Sequence, residues 1–148
     1  VHSGENTSAK HIEKTINLLR PNRIGHGIKV VEDLRVVELA LKNDIHFEVC
    51  PTSNWLTKCV DTIDSHPIKR MLDLGLSVGL NSDDPHLMNI DLTHEYEVCS
   101  EHLKMGLSDF DKASDEANTP ATIRFINATN STTVLSPAVT CSWISGIL

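Results

Sequence analysis

A strand passes directly into a polar loop at Leu76-Ser77-Val78-Gly79-Leu80-Asn81-Ser82-Asp83-Asp84-Pro85. The apolar residues 76–80 predict a strand, and the residues that follow combine turn chemistry with two adjacent carboxylates. Ahead of this stretch, short extended segments alternate with amphipathic helical ones, which is typical of β/α units on a parallel sheet. The sequence therefore predicts an α/β fold whose parallel strands lie side by side in the order of the chain.

The other elements follow from apolar spacing and from the positions of Pro and Gly. Strands are predicted over residues 23–27 and 44–50, with a turn at residues 50–54. Helices are predicted over residues 8–19, within residues 32–42, from residues 66–67 to residue 75, over residues 92–103, and from Ser108. The buried stripes of the first two helices are expected to be Ala9, Ile12, Ile16 and Leu19, and then Leu34, Val37 and Leu41.

Polar side chains occur wherever a predicted strand ends. In a closed barrel of β/α units the carboxyl ends of the strands meet at one mouth, where active sites are assembled. Each residue alone has a structural interpretation, such as a core imidazole or a helix cap, but their shared position predicts one site. The residues are His2 and Glu5 after a truncated first strand, His26 after the second, Glu48 and Cys50 after the third, and Asp83 and Asp84 after the fourth.

Composition excludes several classes of partner. The 148 residues carry a net charge of -7, which is the wrong sign for a protein that binds phosphate backbones. No apolar run is long enough to span a bilayer, so no membrane association is expected. The four cysteines form no C-x-x-C pair, and reduced thiols in a cytoplasmic protein are the expected state.

The residue types at the strand ends suit a metal. Two imidazoles and a carboxylate are ligands that a catalytic zinc accepts while it keeps a position for water. Glu5 follows His2 by three residues, so its carboxyl group is expected beside the metal as a proton donor rather than as a ligand.

Five strings strongly resemble the adenosine deaminase family, in that order and with the family's kind of spacing. They are Val1-His2-Ser3-Gly4-Glu5-Asn6, Arg23-Ile24-Gly25-His26-Gly27, Phe47-Glu48-Val49-Cys50-Pro51-Thr52-Ser53-Asn54, His66-Pro67 and Leu80-Asn81-Ser82-Asp83-Asp84-Pro85. The resemblance implies that residues 1–125 are the C-terminal half of a (β/α)8 TIM barrel. Residues 126–148 are then an atypical, Ser/Thr-rich tail.

The same resemblance implies roles for four residues in a hydrolytic deamination. His2 and Asp83 resemble ligands of a single zinc ion, and Glu5 resembles the acid that protonates purine N1. His26 resembles the histidine that stabilises the zinc-bound water and that can also deprotonate it. Zinc lowers the pKa of bound water from about 15.7 to roughly 7, which makes hydroxide available at neutral pH.

Two further residues are expected to contact the substrate. Asp84 resembles the carboxyl group that bonds purine N7, which is an acceptor, so this carboxyl would have to be protonated in that role. Gly4 lies between the expected ligand and the expected acid. Cys50 is interpreted as a packing residue beside Pro51, because the reaction needs no separate nucleophile.

One departure from the family pattern limits these expectations. The family takes two more zinc ligands from an H-x-H pair on its first strand, and this sequence contains no H-x-H. The resemblance implies that the complete protein deaminates adenosine with one zinc ion. Because the H-x-H pair is missing, we expect the 148-residue chain to be inactive alone. Deamination of free adenine, and a catalytically dead barrel fragment, are the alternatives. Open barrel edges are expected to favour self-association.

Overall fold

The computed structural model describes residues 1–118, and it describes side chains as far as Ala113. The predicted boundary at residue 125 and the predicted tail over residues 126–148 lie outside the described residues. Residues Val1–Ala117 form one compact unit.

Four parallel strands form one sheet in the order β1-β2-β3-β4, which confirms the predicted topology. The register pairs Ser3 of β1 with His26 of β2, and Val49 of β3 with Leu80 of β4. Because the strands are parallel, all their carboxyl ends lie at one edge of the sheet. The strands are β1 (His2–Ser3), β2 (Arg23–His26), β3 (His46–Val49) and β4 (Ser77–Leu80).

Helices connect the strands and cover one face of the sheet, so the predicted α/β class is confirmed. Within residues 1–118 the α-helices are α1 (Ala9–Leu19), α2 (Leu34–Lys42), α3 (Pro51–Leu56), α4 (Ile68–Asp73), α5 (Pro85–Met88), α6 (Leu92–Leu103) and α7 (Leu107–Asn118). Two 3₁₀ helices cover Ile28–Glu32 and Ile63–Ser65. None of the helices in this described part is long and apolar enough to cross a bilayer.

The core lies between the sheet and its helices. Ile24, Phe47 and Val78 are register partners on three neighbouring strands, and each is fully buried. Ile12 and Ile16 of α1 belong to the same buried cluster. Burial of a large aliphatic or aromatic side chain stabilises a fold by about 1.5–3 kcal/mol, so this layer is the main source of stability for the described residues.

The expected buried stripes were wrong at three leucines. Leu34 and Leu41 are exposed, and the buried residues of α2 are Val36, Val37 and Ala40. At 3.6 residues per turn, both leucines lie about 100° away from the centre of that buried stripe. Leu19 is also exposed, because it is the last residue of α1 before the chain turns away at Arg20.

Candidate active site

Three side chains, two from β1 and the loop after it and one from the loop after β4, meet around His26 at the end of β2. Its Nε2 atom lies 3.7 Å from Glu5 Oε2 and 4.0 Å from Asp83 Oδ2. The His2 ring stands beside it, with 5.2 Å between the two ring centroids. His26 is buried, whereas the two carboxyl groups are partly exposed. The structure thus brings together four of the residues that the sequence singled out.

Two of these residues have an unusual backbone conformation. His26 has a φ of 60° and Asp83 a φ of 62°, so both lie in the left-handed region. Residues other than glycine seldom adopt this conformation, and where they do it costs on the order of 1–3 kcal/mol that the surrounding structure must supply. Each of the two follows or ends a strand, and the left-handed turn directs the chain out of the sheet there.

Glycines allow the loops of the site to lie against the core. A Cβ atom on Gly4 would come within 2.2 Å of Ile12 Cδ1, and one on Gly27 within 2.2 Å of Phe47 Cδ1. Both glycines also have positive φ angles, of 73° and 64°. Gly4 donates its N–H to Thr7 Oγ1 over 3.1 Å, and this hydrogen bond orders the loop that carries Glu5.

A third glycine makes room for the His2 ring. A Cβ atom on Gly25 would lie 3.0 Å from His2 Cδ2 and 3.1 Å from His2 Nε2. The imidazole therefore lies flat against the backbone of β2, its register neighbour. A Cβ atom at position 25 would therefore require the His2 ring to shift by a few tenths of an ångström.

Helix α3, which replaces the turn predicted at residues 50–54, supplies contacts that the sequence did not predict. Ser53 Oγ donates to Asp83 Oδ2 over 2.7 Å, and Asn54 Nδ2 bonds His26 Nδ1 over 3.1 Å. Ser53 and Asn54 are fully buried. The carboxylate and the imidazole at the centre of the cluster are both oriented from this one helix.

A buried carboxyl group holds the beginning of α3. Glu95 of α6 is fully buried, and its Oε2 atom accepts a hydrogen bond from Thr52 N over 3.1 Å. Burial raises the pKa of Glu95 despite that hydrogen bond. The amphipathic pattern of α6 gave no sign of this residue, because a glutamate is expected on the solvent side of a helix.

His66 completes the polar group behind His26. Its Nε2 atom lies 3.1 Å from Asn54 Oδ1, and its Nδ1 atom accepts a hydrogen bond from Ile68 N over 3.2 Å. Burial, and secondly the neighbouring His26, lower the pKa of His66 to about 3. Burial also lowers the pKa of His26, although Glu5 and Asp83 act in the opposite direction. The sequence marked His66-Pro67 as part of the family resemblance but assigned it no role.

Glu5 faces the mouth of the site with few constraints. Its Oε1 atom accepts long hydrogen bonds from Thr57 Oγ1 at 3.4 Å and Cys59 Sγ at 3.8 Å. Its Oε2 atom faces His26. One carboxyl oxygen is therefore oriented by the loop after α3, while the other remains directed at the centre of the cluster.

Glu48 does not join the cluster, although its strand-end position placed it among the candidates. Its Oε1 atom pairs with Arg23 Nε and its Oε2 atom accepts from Asn81 Nδ2 over 2.7 Å. Burial would raise the pKa of Glu48, but His46 and Arg23 outweigh burial and lower this pKa to about 2. Both oxygens are committed to neighbouring strands, which gives Glu48 a structural role.

Two further candidates, Asp84 and Cys50, form no hydrogen bond with the residues of the cluster. Asp84 is exposed, and its carboxyl group makes no hydrogen bond or ion pair with any residue that the structure describes. Cys50 is buried, and burial together with nearby carboxylates raises the pKa of its thiol. A thiol that stays protonated is a poor nucleophile, which agrees with the packing role expected for Cys50.

The donor atoms suit zinc in kind but not in number. His2 supplies imidazole and Asp83 supplies carboxylate, and the cradle at Gly25 fits the His2 ring. Within residues 1–118, however, no group of three or more His, Cys, Asp or Glu side chains is arranged to hold a metal ion. Catalytic zinc sites use three protein ligands and structural ones four. The described residues therefore do not form a complete metal site by themselves.

Comparison with known sequences gives consistent matches. The family model described as adenosine deaminase matches residues 1–137. An adenosine deaminase from Shewanella denitrificans is 41% identical over 117 residues, which cover 79% of this chain and 35% of the relative. One from Aliivibrio fischeri is 47% identical over 108 residues, covering 73% and 32%, and one from Plasmodium falciparum is 43% identical over 115 residues, covering 76% and 31%. The chain thus spans about a third of the length of these relatives.

Solved structures give the same picture of the fold. An adenine deaminase from Arthrobacter aurescens superposes with a TM-score of 0.75 at 28% identity, over 84% of this chain and 39% of that one. An N6-methyl-AMP deaminase from Arabidopsis thaliana superposes with a TM-score of 0.67 at 25% identity, over 88% and 40%. The four-stranded sheet and its helices correspond to part of a larger TIM barrel, as predicted.

Proposed function

This chain belongs to the adenosine deaminase family, and from that premise we propose that the complete protein hydrolyses adenosine to inosine and ammonia. The observation that supports this most directly is that Glu5 and Asp83, at the ends of two other strands, both lie within 4.0 Å of His26. Such strand ends are where barrel enzymes place their chemistry.

The reaction requires a proton donor to purine N1, and Glu5 is the candidate for this role. Attack of a water oxygen at C6 forms a C–O bond and places charge on N1, so N1 must gain a proton as the oxygen adds. One of the two water protons restores the protonated form of Glu5, and the other passes to the amino group. The C6–N bond then breaks, the amino group leaves as ammonia, and the proton at N1 remains in inosine. Glu5 is our candidate donor of that proton, because one carboxyl oxygen faces the centre of the cluster while the other is held by Thr57 and Cys59.

The metal requirement is also part of the proposal. His2 and Asp83 are our candidate zinc ligands, and we expect the other ligands from outside this chain, because its sequence lacks the H-x-H pair that the family uses. In this account the 148-residue chain alone lacks activity. Asp84 and Gly4 are the candidate substrate contacts, and Asp84 is free to serve because its exposed carboxyl group makes no bond with the described residues.

Free adenine is the second candidate substrate. It is favoured by the superposition on an adenine deaminase with a TM-score of 0.75. Adenosine is preferred because the adenosine deaminases are more similar in sequence, at 41–47% identity against 28%. We also propose a cytoplasmic location, in keeping with the free thiols of Cys50, Cys59 and Cys99, and self-association through the open edges of the sheet.

Ammonia release by a version extended upstream to the full barrel tests the function. The proposal expects turnover of adenosine, a slower reaction with adenine, and a loss of about 10²–10⁴-fold for Glu5→Gln with the metal still bound. Asp83→Ala is expected to lose both metal and activity. Glu13→Gln on the exposed face of α1 is the matched control and should keep the wild-type rate. A near-wild-type rate for Glu5→Gln would show that the acid is misassigned.

A further inference from the structure

A chain of hydrogen bonds leads from the beginning of α4 to His26. Ile68 N bonds His66 Nδ1 over 3.2 Å, His66 Nε2 bonds Asn54 Oδ1 over 3.1 Å, and Asn54 Nδ2 bonds His26 Nδ1 over 3.1 Å. The three side chains are all more than nine-tenths buried. Buried polar groups of this kind need partners within the protein, so the donors and acceptors along the chain must alternate.

The backbone fixes the direction of this alternation. Ile68 is the first residue of α4, and its N–H has no acceptor within the helix, so it donates to His66 Nδ1. A neutral imidazole that accepts at one nitrogen carries its proton on the other. His66 is neutral at physiological pH, because burial, and then His26, lower its pKa to about 3. Its Nε2–H therefore donates to Asn54.

The amide of Asn54 continues the alternation of donors and acceptors as far as His26. Its oxygen accepts from His66, so its NH₂ group faces His26 and donates to His26 Nδ1. A neutral His26 that accepts at Nδ1 carries its proton on Nε2. That atom faces Glu5 Oε2 at 3.7 Å and Asp83 Oδ2 at 4.0 Å. The proton thus lies on the side where two acceptor oxygens are found.

We propose that Asn54 and His66 are positioning residues that hold His26 in the tautomer with its proton on Nε2. His26 then presents a hydrogen-bond donor, and not a free base, to the centre of the cluster. The tautomer follows from the hydrogen bonds of the two neutral imidazoles and does not depend on the reaction, whereas its consequence for deamination rests on the proposed function. Of the two roles that the family resemblance allows for His26, stabilising or deprotonating the attacking water, this arrangement favours stabilisation by donation.

The direct test is ¹⁵N NMR of the histidine rings in the 148-residue chain at pH 8, above the ordinary pKa of about 6.5 for histidine. Protonated and unprotonated ring nitrogens have well-separated ¹⁵N chemical shifts. The proposal expects His26 and His66 both with a proton on Nε2 and a bare Nδ1. A proton on His26 Nδ1, or an even mixture of the two tautomers, would overturn it.

Two variants and one control distinguish a positioning role from a packing role. Asn54→Asp keeps the shape but replaces the donor with an acceptor, so the proton of His26 should move to Nδ1. Asn43→Asp makes the same exchange at the exposed end of α2 and should leave the His26 ring unchanged. His66→Gln places an amide where the imidazole accepted and donated, so His26 should keep its Nε2 proton. An unchanged His26 ring in folded Asn54→Asp would contradict the proposal.

Ammonia release by the version extended upstream then links the tautomer to the reaction. Changes in residues that orient a metal-site histidine cost about 10–100-fold in activity, and a loss of that size is expected for Asn54→Asp but not for Asn43→Asp. If the tautomer is as proposed and the extended wild type releases no ammonia, the proposed function fails and the positioning stands. If ammonia is released and His26 carries its proton on Nδ1, the positioning fails and the function stands.

Discussion

The apolar face of the sheet and the edge at its carboxyl ends contrast sharply. On the face, Ile24, Phe47 and Val78 are fully buried and pack with the helices of the same chain. At the edge, His26 and Asp83 have left-handed backbone angles and depend on hydrogen bonds from α3. The face is apolar and closely packed, whereas the edge is polar and has a strained backbone.

This difference separates the requirements of folding from those of chemistry. The core gains its stability from neighbours in sequence, because each β/α unit packs on the next. The site collects residues from β1, β2, the helix after β3 and the loop after β4, so it depends on several β/α units at once. We therefore expect that substitutions in the core affect stability most, and that the site cannot function without the rest of the barrel.

The largest expected effect on stability comes from Phe47→Ala. Phe47 is fully buried at the centre of the sheet, and truncation of such a phenylalanine lowers the free energy of unfolding by about 3–5 kcal/mol. Leu18→Ala on the exposed face of α1 is the control and should stay within about 0.5 kcal/mol of wild type. Urea unfolding measures both, and equal effects of the two substitutions would contradict the assignment of the core.

Two glycine substitutions test whether the loop after β2, which lies between the apolar face and the polar edge, is packed on the core. Gly27 and Gly75 both have positive φ angles, but a Cβ atom on Gly27 would meet the Phe47 ring while one on Gly75 would meet nothing within 4 Å. Gly75→Ala should cost about 1–2 kcal/mol through backbone strain alone. Gly27→Ala adds overpacking, so we expect about 2–4 kcal/mol in the same urea assay. Equal costs would show that the loop after β2 is not packed on the core.

A smaller effect, which depends on pH, is expected at His66. An unfolded histidine binds a proton as the pH falls below about 6.5, whereas folded His66 has a pKa of about 3. The unfolded state therefore binds more protons between these values, and His66 makes the free energy of unfolding fall by about 1.4 kcal/mol per pH unit on acidification. Stability that is present above pH 6.5 is thus lost towards pH 3.

Comparison of wild type with His66→Gln isolates the contribution of His66 to the pH dependence of the free energy of unfolding. Glutamine does not titrate, so the variant should lose about 2 kcal/mol less stability than wild type between pH 7 and pH 5. Urea unfolding at the two pH values provides the measurement. Parallel pH profiles for the two proteins would mean that His66 is accessible to protons in the folded state.

The sequence predicted the strands and their order, because the alternation of extended and helical segments and the positions of Pro and Gly are local signals. It also indicated that His26 and Asp83 meet, since the carboxyl ends of parallel strands lie together. It did not predict α3, because residues 50–54 resemble a turn when their tertiary neighbours are unknown. For the same reason the bonds from Ser53 and Asn54 were missed, although both residues belong to a string that carries the family resemblance.

The most direct test of the contrast between a complete core and an incomplete site is the zinc content of the purified 148-residue chain, measured together with ammonia release from adenosine. Only two zinc ligands are proposed in this chain, and the residues described provide no group of three, so the account predicts far less than one zinc per folded chain and no ammonia release. The version extended upstream should bind one zinc and release ammonia. One zinc per 148-residue chain together with ammonia release would contradict the account.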